Sequence, residues 1–342
     1  MDQYRKINRG SGMKSFTKAG VAVGTALLLA ACSSGGSGGG SGGGSASGSG
    51  SGPASSGPSD GFNTALPAPT RTATPTPTPT PTPYGPVLAG YIDPVGVALG
   101  KINPSANLNN FMIGLQEAAS AANSASSGLG LSDTPATVGT TKRQLVNALS
   151  QLATDLTKIR TGIKSKTYCT TGSAYAQVGL SEGLKAIPAS LAEMAAAGYT
   201  TNFTVPQTPQ PQTRSLDNGA FVTKGRLRGG GEFHVDNTAG TVDSVVSLYK
   251  GGKTVHSLYV GKGKEAAIEG VEDGDYDVYF SEGVDWDSSL KMFTQSCSYT
   301  KFDDSLSYTS GRNYVSWTIT LTAKVGGNAK TSDVDEETFP QQ

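Results

Sequence analysis

From Ser33 to about Asp60 the chain is almost wholly Gly and Ser, with no apolar side chain large enough to seed a core. Such a stretch behaves as a flexible coil. From Thr74 to Pro83, Thr and Pro alternate. That pattern favours polyproline II, a stiffer spacer that rises roughly 3.1 Å per residue, and it is a common O-glycosylation substrate. The coil part spans on the order of 30 Å root-mean-square, and the stiff part adds about as much again. Residues 32–83 therefore read as a disordered tether, and any fold has to be built from the residues beyond Pro83.

Ahead of the tether, Arg5, Lys6, Arg9, Lys14 and Lys18 precede an uninterrupted apolar run from Val21 to Ala31. A basic segment, a short apolar run and small residues before a cleavage point make a secretory signal, too short to span a bilayer. Leu29-Ala30-Ala31-Cys32 resembles the bacterial lipobox, in which the Cys thiol is diacylated and becomes the new N-terminus. The resemblance implies that residues 1–31 are removed and that Cys32 carries the lipid. The expected location is the outer face of the cell membrane, lipid-anchored and extracellular.

The whole chain has 27 Lys+Arg and 27 Asp+Glu. Residues 1–31 hold five of the bases and a single acid, Asp2, so processing leaves a net charge of about −4. That disfavours nucleic acid as a partner, because phosphate binding needs a basic footprint. Tyr84 to Thr213 carries 8 bases and 6 acids, and the chain from Arg214 onward carries 13 and 19. The imbalance suggests two folded units, the acidic one C-terminal.

The first unit, 84–205, reads as helical. Leu145, Leu149, Leu152, Leu156, Ile159 and Ile163 repeat at alternating steps of four and three, an apolar stripe along one helix face. Thr141 and Gln144 fit a capping box that starts this helix near Lys142. Leu108, Phe111, Leu115, Ala118 and Ala122 mark an earlier helix, expected to end before Gly128. Leu180, Leu184, Ile187, Leu191 and Met194 mark a later one, expected to kink or split at Pro188. Three such stripes bury one another most economically as a small antiparallel bundle.

Residues 206–214, opening with Pro-Gln-Thr-Pro-Gln-Pro, form a linker, and beyond it the period changes to two. Phe233 and Val235 alternate with polar neighbours; so do Tyr276, Val278 and Phe280, and Val315, Trp317, Ile319 and Leu321. With 245–250, 255–260, 265–268 and 296–302 these make about seven short strands over 215–326, an antiparallel β-sandwich. Gly251-Gly252 is a two-residue hairpin turn. Asp285 is placed to cap a short helix interrupting the sheet. Residues 327–342 read as a C-terminal tail. The fold class is therefore α+β and multidomain: a helical bundle, then a sandwich, on a disordered tether.

Val271-Glu272-Asp273-Gly274-Asp275-Tyr276-Asp277-Val278-Tyr279 resembles the turn and strand of transthyretin-like and carboxypeptidase-regulatory-like sandwiches. The unit as a whole, with Gly229-Gly230-Gly231, Asp285-Trp286-Asp287 and Cys297, is similar to domains of exported actinobacterial proteins. The resemblance implies an accessory binding or spacer module and brings no catalytic residues with it.

Candidate chemistry is sparse. Gly179-Leu180-Ser181-Glu182-Gly183 matches a nucleophile elbow as a string, but no strand precedes it and Leu180 and Leu184 belong to a helical stripe. His234 and His256 lie in strands, with no carboxylate or thiol at metal spacing, and fall on phases expected to be solvated. Asp273 and Asp275, with Asp285 or Asp287, make either a weak calcium site or ordinary turn carboxylates. Once Cys32 is acylated, Cys169 and Cys297 are left in an oxidising exterior, where they are either bridged or separately buried. No catalytic residue, cofactor or other metal site is expected. The reading is a non-catalytic binding or envelope structural protein whose partner is an envelope protein or glycan. The alternative is a hydrolase-type envelope enzyme with a site between the two units.

Overall fold

The structure, a computed structural model, describes residues 83–309, 315–322 and 330–342, and the backbone of 14–17. The cleavage site, Cys32 and nearly all of the tether lie outside the described residues.

The helical region has five helices rather than three stripes: α1 (Tyr84–Gly100), α2 (Leu108–Leu131), α3 (Gly139–Lys164), α4 (Thr171–Leu180) and α5 (Glu182–Ala196). Helix α1 is concealed in the sequence by two prolines and four glycines, although Leu88, Ile92, Val95 and Leu99 repeat at helical spacing and are all buried. Helix α2 starts at Asn107, whose side chain accepts from the Asn110 N–H at 2.8 Å. It runs through Gly128 instead of stopping there. That glycine is a contact point, not a terminator: a Cβ there would fall on the Tyr91 ring. All six apolar residues of the long stripe are buried on α3. The helix begins three residues before the expected start, and Thr141 donates to Glu193 Oε2 at 2.7 Å instead of capping. The third stripe breaks at Ser181, not at Pro188, which sits inside α5. One apolar core gathers side chains from all five helices.

Residues 199–213 run back over this core. Tyr199 meets Tyr84 edge-on at 5.1 Å between ring centres. Asn202 donates its main-chain N–H to Asp93 Oδ1 at 2.7 Å, and Phe203 packs on the core.

The β region is a sandwich of two sheets. The larger takes the order β11 (Thr331–Asp333), β8 (Met292–Phe302), β7 (Gly274–Asp287), β4 (Asp243–Lys250), β5 (Lys253–Val260) and β2 (Phe221–Lys224), with β9 (Leu306–Tyr308) beside β7. The smaller takes the order β1 (Lys14–Thr17), β10 (Ser316–Thr320), β3 (Gly231–Asp236) and β6 (Glu265–Val271). The large sheet is antiparallel throughout, as expected; in the small one β10 runs parallel to β3 and β1 parallel to β10. Gly251 and Gly252, both at positive φ (62° and 80°), close the β4–β5 hairpin as expected.

Two apolar layers follow from the alternation. Phe233, Val235, Ile268 and Ile319 of the small sheet meet Val246, Leu258, Val278 and Phe280 of the large one. On the outer face of the large sheet, Val245, Tyr259, Trp286, Phe293 and Tyr299 form a second cluster. Residues from elsewhere close it: Cys169, Leu216 and Phe339.

Three expectations about the β region do not hold. The short helix after Asp285 is absent, because β7 continues through Trp286 and Asp287 and pairs with β8, and Asp285 sits at φ 61° rather than in a capping geometry. The C-terminal residues are not a free tail. They form β11, and Phe339 packs on Tyr279 and Tyr299 with ring centres 5.9 and 5.0 Å away. His256 is fully buried rather than solvated. It shares the face of Leu258 and Val260 between the sheets, and a bulge at Val255 shifts the register at this point.

Candidate functional site

Helix α3 ends in a turn at Lys166, φ 57°, which directs residues 166–169 along a bulge of β8 centred on Ser296, φ 52°. Three main-chain hydrogen bonds bind the two segments: Cys169 N–H to Thr294 C=O at 2.8 Å, Ser296 N–H to Thr167 C=O at 3.0 Å, and Cys297 N–H to Lys166 C=O at 3.0 Å. Tyr168 and Gln295 form a β-bridge between them. The Ser173 hydroxyl, in the first turn of α4, donates to the Thr294 carbonyl at 2.8 Å. Within this frame Cys169 and Cys297 are disulfide-bonded, with Cα atoms 6.3 Å apart and a sequence separation of 128. Both are buried. The bridged reading of the two cysteines is the one observed.

Beside the disulfide, the end of the linker is fixed to the sheet by one arginine. Arg214 Nε and Nη2 grip Asp285 Oδ1 and Oδ2 at 2.8 and 2.7 Å, and its main-chain N–H donates to Oδ1 at 2.8 Å. Arg214 Nη1 reaches Asp287 Oδ2 at 2.7 Å, and the Thr294 hydroxyl donates to Asp285 Oδ2 at 2.6 Å. Asp285 is 3% exposed. Burial alone would raise its pKa, but the Arg214 side chain and N–H and the Thr294 hydroxyl outweigh it and hold the carboxyl at about 2. Hydrogen bonding to Asp285 raises the Arg214 guanidinium above its ordinary value in turn. The arrangement is a fully paired, hydrogen-bonded buried charge, the condition under which such a group is tolerated.

The four carboxylates considered for calcium are thus not a cation site. Both Asp285 oxygens are taken by Arg214 and Thr294, and Asp275 accepts from the Ser307 hydroxyl. Among the described residues no group of three His, Cys, Asp or Glu side chains is placed to hold a metal ion.

Ser181, the serine of the elbow-like string, is the N-cap of α5. Its oxygen accepts from the Leu184 N–H at 3.1 Å, and its hydroxyl donates to Asp155 Oδ2 at 2.8 Å. It is 5% exposed, on helices rather than on a strand-to-helix turn. His234 stands on β3 with Nε2 3.3 Å from Glu232 Oε2, and His256 lies inside the sandwich. Among the described residues neither is hydrogen-bonded to Ser181.

No motif in the sequence announces the Arg214 anchor. The one signal for it is that Arg214 is the first charged residue after an uncharged run from 194 to 213. No family model matches the chain, and neither a curated protein nor a solved structure is similar to it.

Proposed function

We propose that the chain is a lipid-anchored protein of the cell surface, acylated at Cys32, that acts by binding an envelope component or as a structural element of the envelope, without catalysis. The observation that carries the reading is the junction between the helical and β regions. What supports it is that a disulfide, a β-bridge and the Arg214–Asp285 pair join the two regions there. Both Asp285 oxygens are spent on structural partners. Two regions joined in this way, carried on a Gly/Ser-rich and then Thr/Pro-rich segment, are suited to presenting a surface away from the membrane. Among the described residues no helix is long and apolar enough to cross a membrane. Signal cleavage at Cys32 would also remove Lys14–Thr17 and leave β10 at the edge of its sheet.

The test has two arms on the full chain. Fatty-acid labelling should be lost in Cys32→Ser, with the protein leaving the membrane fraction, because two acyl chains give stable anchoring and none gives nothing. Crosslinking on intact cells should capture an envelope glycan or protein on wild type. Membrane retention of Cys32→Ser, or turnover of envelope polymer by the purified chain, would overturn the proposal.

A further inference from the structure

At the end of the sandwich where β4 turns into β5, a cavity of about 610 Å3 opens between the Gly251 turn and the stretch leaving β2. Lys224, Arg226, Lys250 and Lys253 line it, and Glu272 is the one carboxylate in the lining. These are four of only 13 bases in a region with 19 acids, so their gathering runs against the region's charge. Among the described residues none of the four has a carboxylate within ion-pair distance. Two are fixed by other means. The Lys250 ammonium donates to the Asp273 carbonyl at 2.6 Å and lies 5.0 Å from the Tyr276 ring centre; that of Lys224 lies 5.0 Å from the Phe221 ring centre. Arg226 and Lys253 are exposed and point to no partner among the described residues.

Behind the lining lies a buried imidazole. Gly225 lines the cavity, and its N–H donates to His256 Nδ1 at 3.2 Å. With Nδ1 accepting, the proton of the neutral imidazole is on Nε2. That Nε2 is buried and has no hydrogen-bond partner. A buried donor left unpaired is unusual unless something else satisfies it. Burial holds the imidazole in its neutral form, with the pKa depressed despite Glu272 nearby.

We propose that this corner binds a phosphoryl group of charge −2 or more, a phosphate monoester or diphosphate borne by an envelope glycan, with Arg226 and Lys253 as its principal cations. The charge count selects the class. Four cations facing one carboxylate leave an excess that a monocarboxylate cannot balance, whereas a phosphate monoester carries about −1.5 to −2 near neutral pH. Arg presents a fork matched to phosphate oxygens and Lys a point charge. The inference rests on the proposed binding function and names its ligand chemistry.

Inorganic pyrophosphate is the probe, titrated calorimetrically into the detergent-solubilised full chain at low salt. One saturable site is expected, weakened by added salt and not mimicked by acetate. Arg226→Ser with Lys253→Ser should weaken it at least about tenfold, as the loss of two charge-assisted hydrogen bonds requires. The melting temperature should hold, since both side chains are exposed. As a second readout, the 15N resonances of His256 should move on addition of pyrophosphate to wild type. No saturable binding, equal affinity in the double variant, an unmoved His256 signal, or retention on phosphatidylglycerol vesicles without pyrophosphate binding would each overturn the proposal. None of these measurements depends on acylation, so a failure here is distinct from a failure of the anchor.

Discussion

The helical region keeps one apolar core, filled from residues between Tyr84 and Phe203, whereas the β region keeps two, and the second is closed by residues from far along the chain. Cys169 reaches that outer layer from the end of α3, Leu216 from the linker and Phe339 from the C-terminal segment. Buried polar groups divide the same way. The helical core holds only Ser126, Ser181 and Ser190, while the β region buries Asn237, His256, Asp285 and several hydroxyls. A core made of neighbours along one helix face needs only periodicity. A core closed from three distant points needs specific locks, and here they are a disulfide and a buried ion pair.

Removing the first lock should have the largest effect. Closing a loop of 128 residues is worth about 4–5 kcal/mol in the chain-entropy account. Both tryptophans, Trp286 and Trp317, lie in the β region, so fluorescence follows the sandwich while far-UV circular dichroism at 222 nm follows the helices. Wild type should lose both signals in one urea transition. Cys169→Ser with Cys297→Ser should lower the stability and separate the two transitions. Coincident curves in the double variant would show that the regions share one cooperative unit without the bridge.

The second lock is next. Asp285→Ala removes the carboxylate that fixes the Arg214 side chain and main-chain N–H, but Arg214 is 42% exposed and keeps Asp287, so the cost should be that of the unmade hydrogen bonds, about 1–3 kcal/mol. The loss should appear in the fluorescence transition. A change under about 1 kcal/mol would mean that water replaces the carboxylate and that the linker is held by something other than this pair.

The same contrast explains what was legible. The six-residue stripe of α3, the hairpin at Gly251-Gly252 and most strands follow from local period alone, and they stand where the pattern puts them. Helix α1 is hidden by its own prolines and glycines, and the other failures come from non-local contacts. Gly128 looks like a helix stop until Tyr91 of another helix is known to rest on it. Asp285 looks like a cap or a calcium ligand until Arg214, 71 residues earlier, occupies its oxygens. His256 looks solvated by polarity, although its phase is that of Leu258 and Val260. The cysteine pairing could be stated from the sequence only as one of two alternatives, because the surface that joins Cys169 to Cys297 is made by the turn after α3 and a bulge of β8, whose residues carry no special pattern.

Acid should read the two buried β-region groups in turn. His256 has a folded pKa below its ordinary 6.5, so the unfolded chain takes up the proton first and stability falls as pH drops through that value. Asp285 titrates at about 2 folded against 3.8 ordinarily, so its contribution is present above 3.8 and is lost between there and 2. Each step has a slope of at most about 1.4 kcal/mol per pH unit. Urea midpoints measured from neutral pH downward should show both, with His256→Gln flattening the first and Asp285→Asn the second. A flat profile above pH 4 would contradict the burial of His256.

The smallest effect belongs to the helical side. Ser181→Ala removes an N-cap acceptor for Leu184 N–H and a donor to Asp155 Oδ2. N-cap losses run about 0.5–2 kcal/mol. Asp155 keeps two other donors, Gly183 N–H at 3.3 Å and Gln151 Nε2 at 2.7 Å, so the value should fall near 1 kcal/mol. The change is best read in the Cys169→Ser, Cys297→Ser background, where the junction is released and each region reports for itself. There the dichroism midpoint should move to lower urea while the tryptophan midpoint stays where it was. Equal movement of both would show that the Cys169 and Thr294 backbone contacts alone couple the regions, and the self-sufficiency of the helical core would have to be given up.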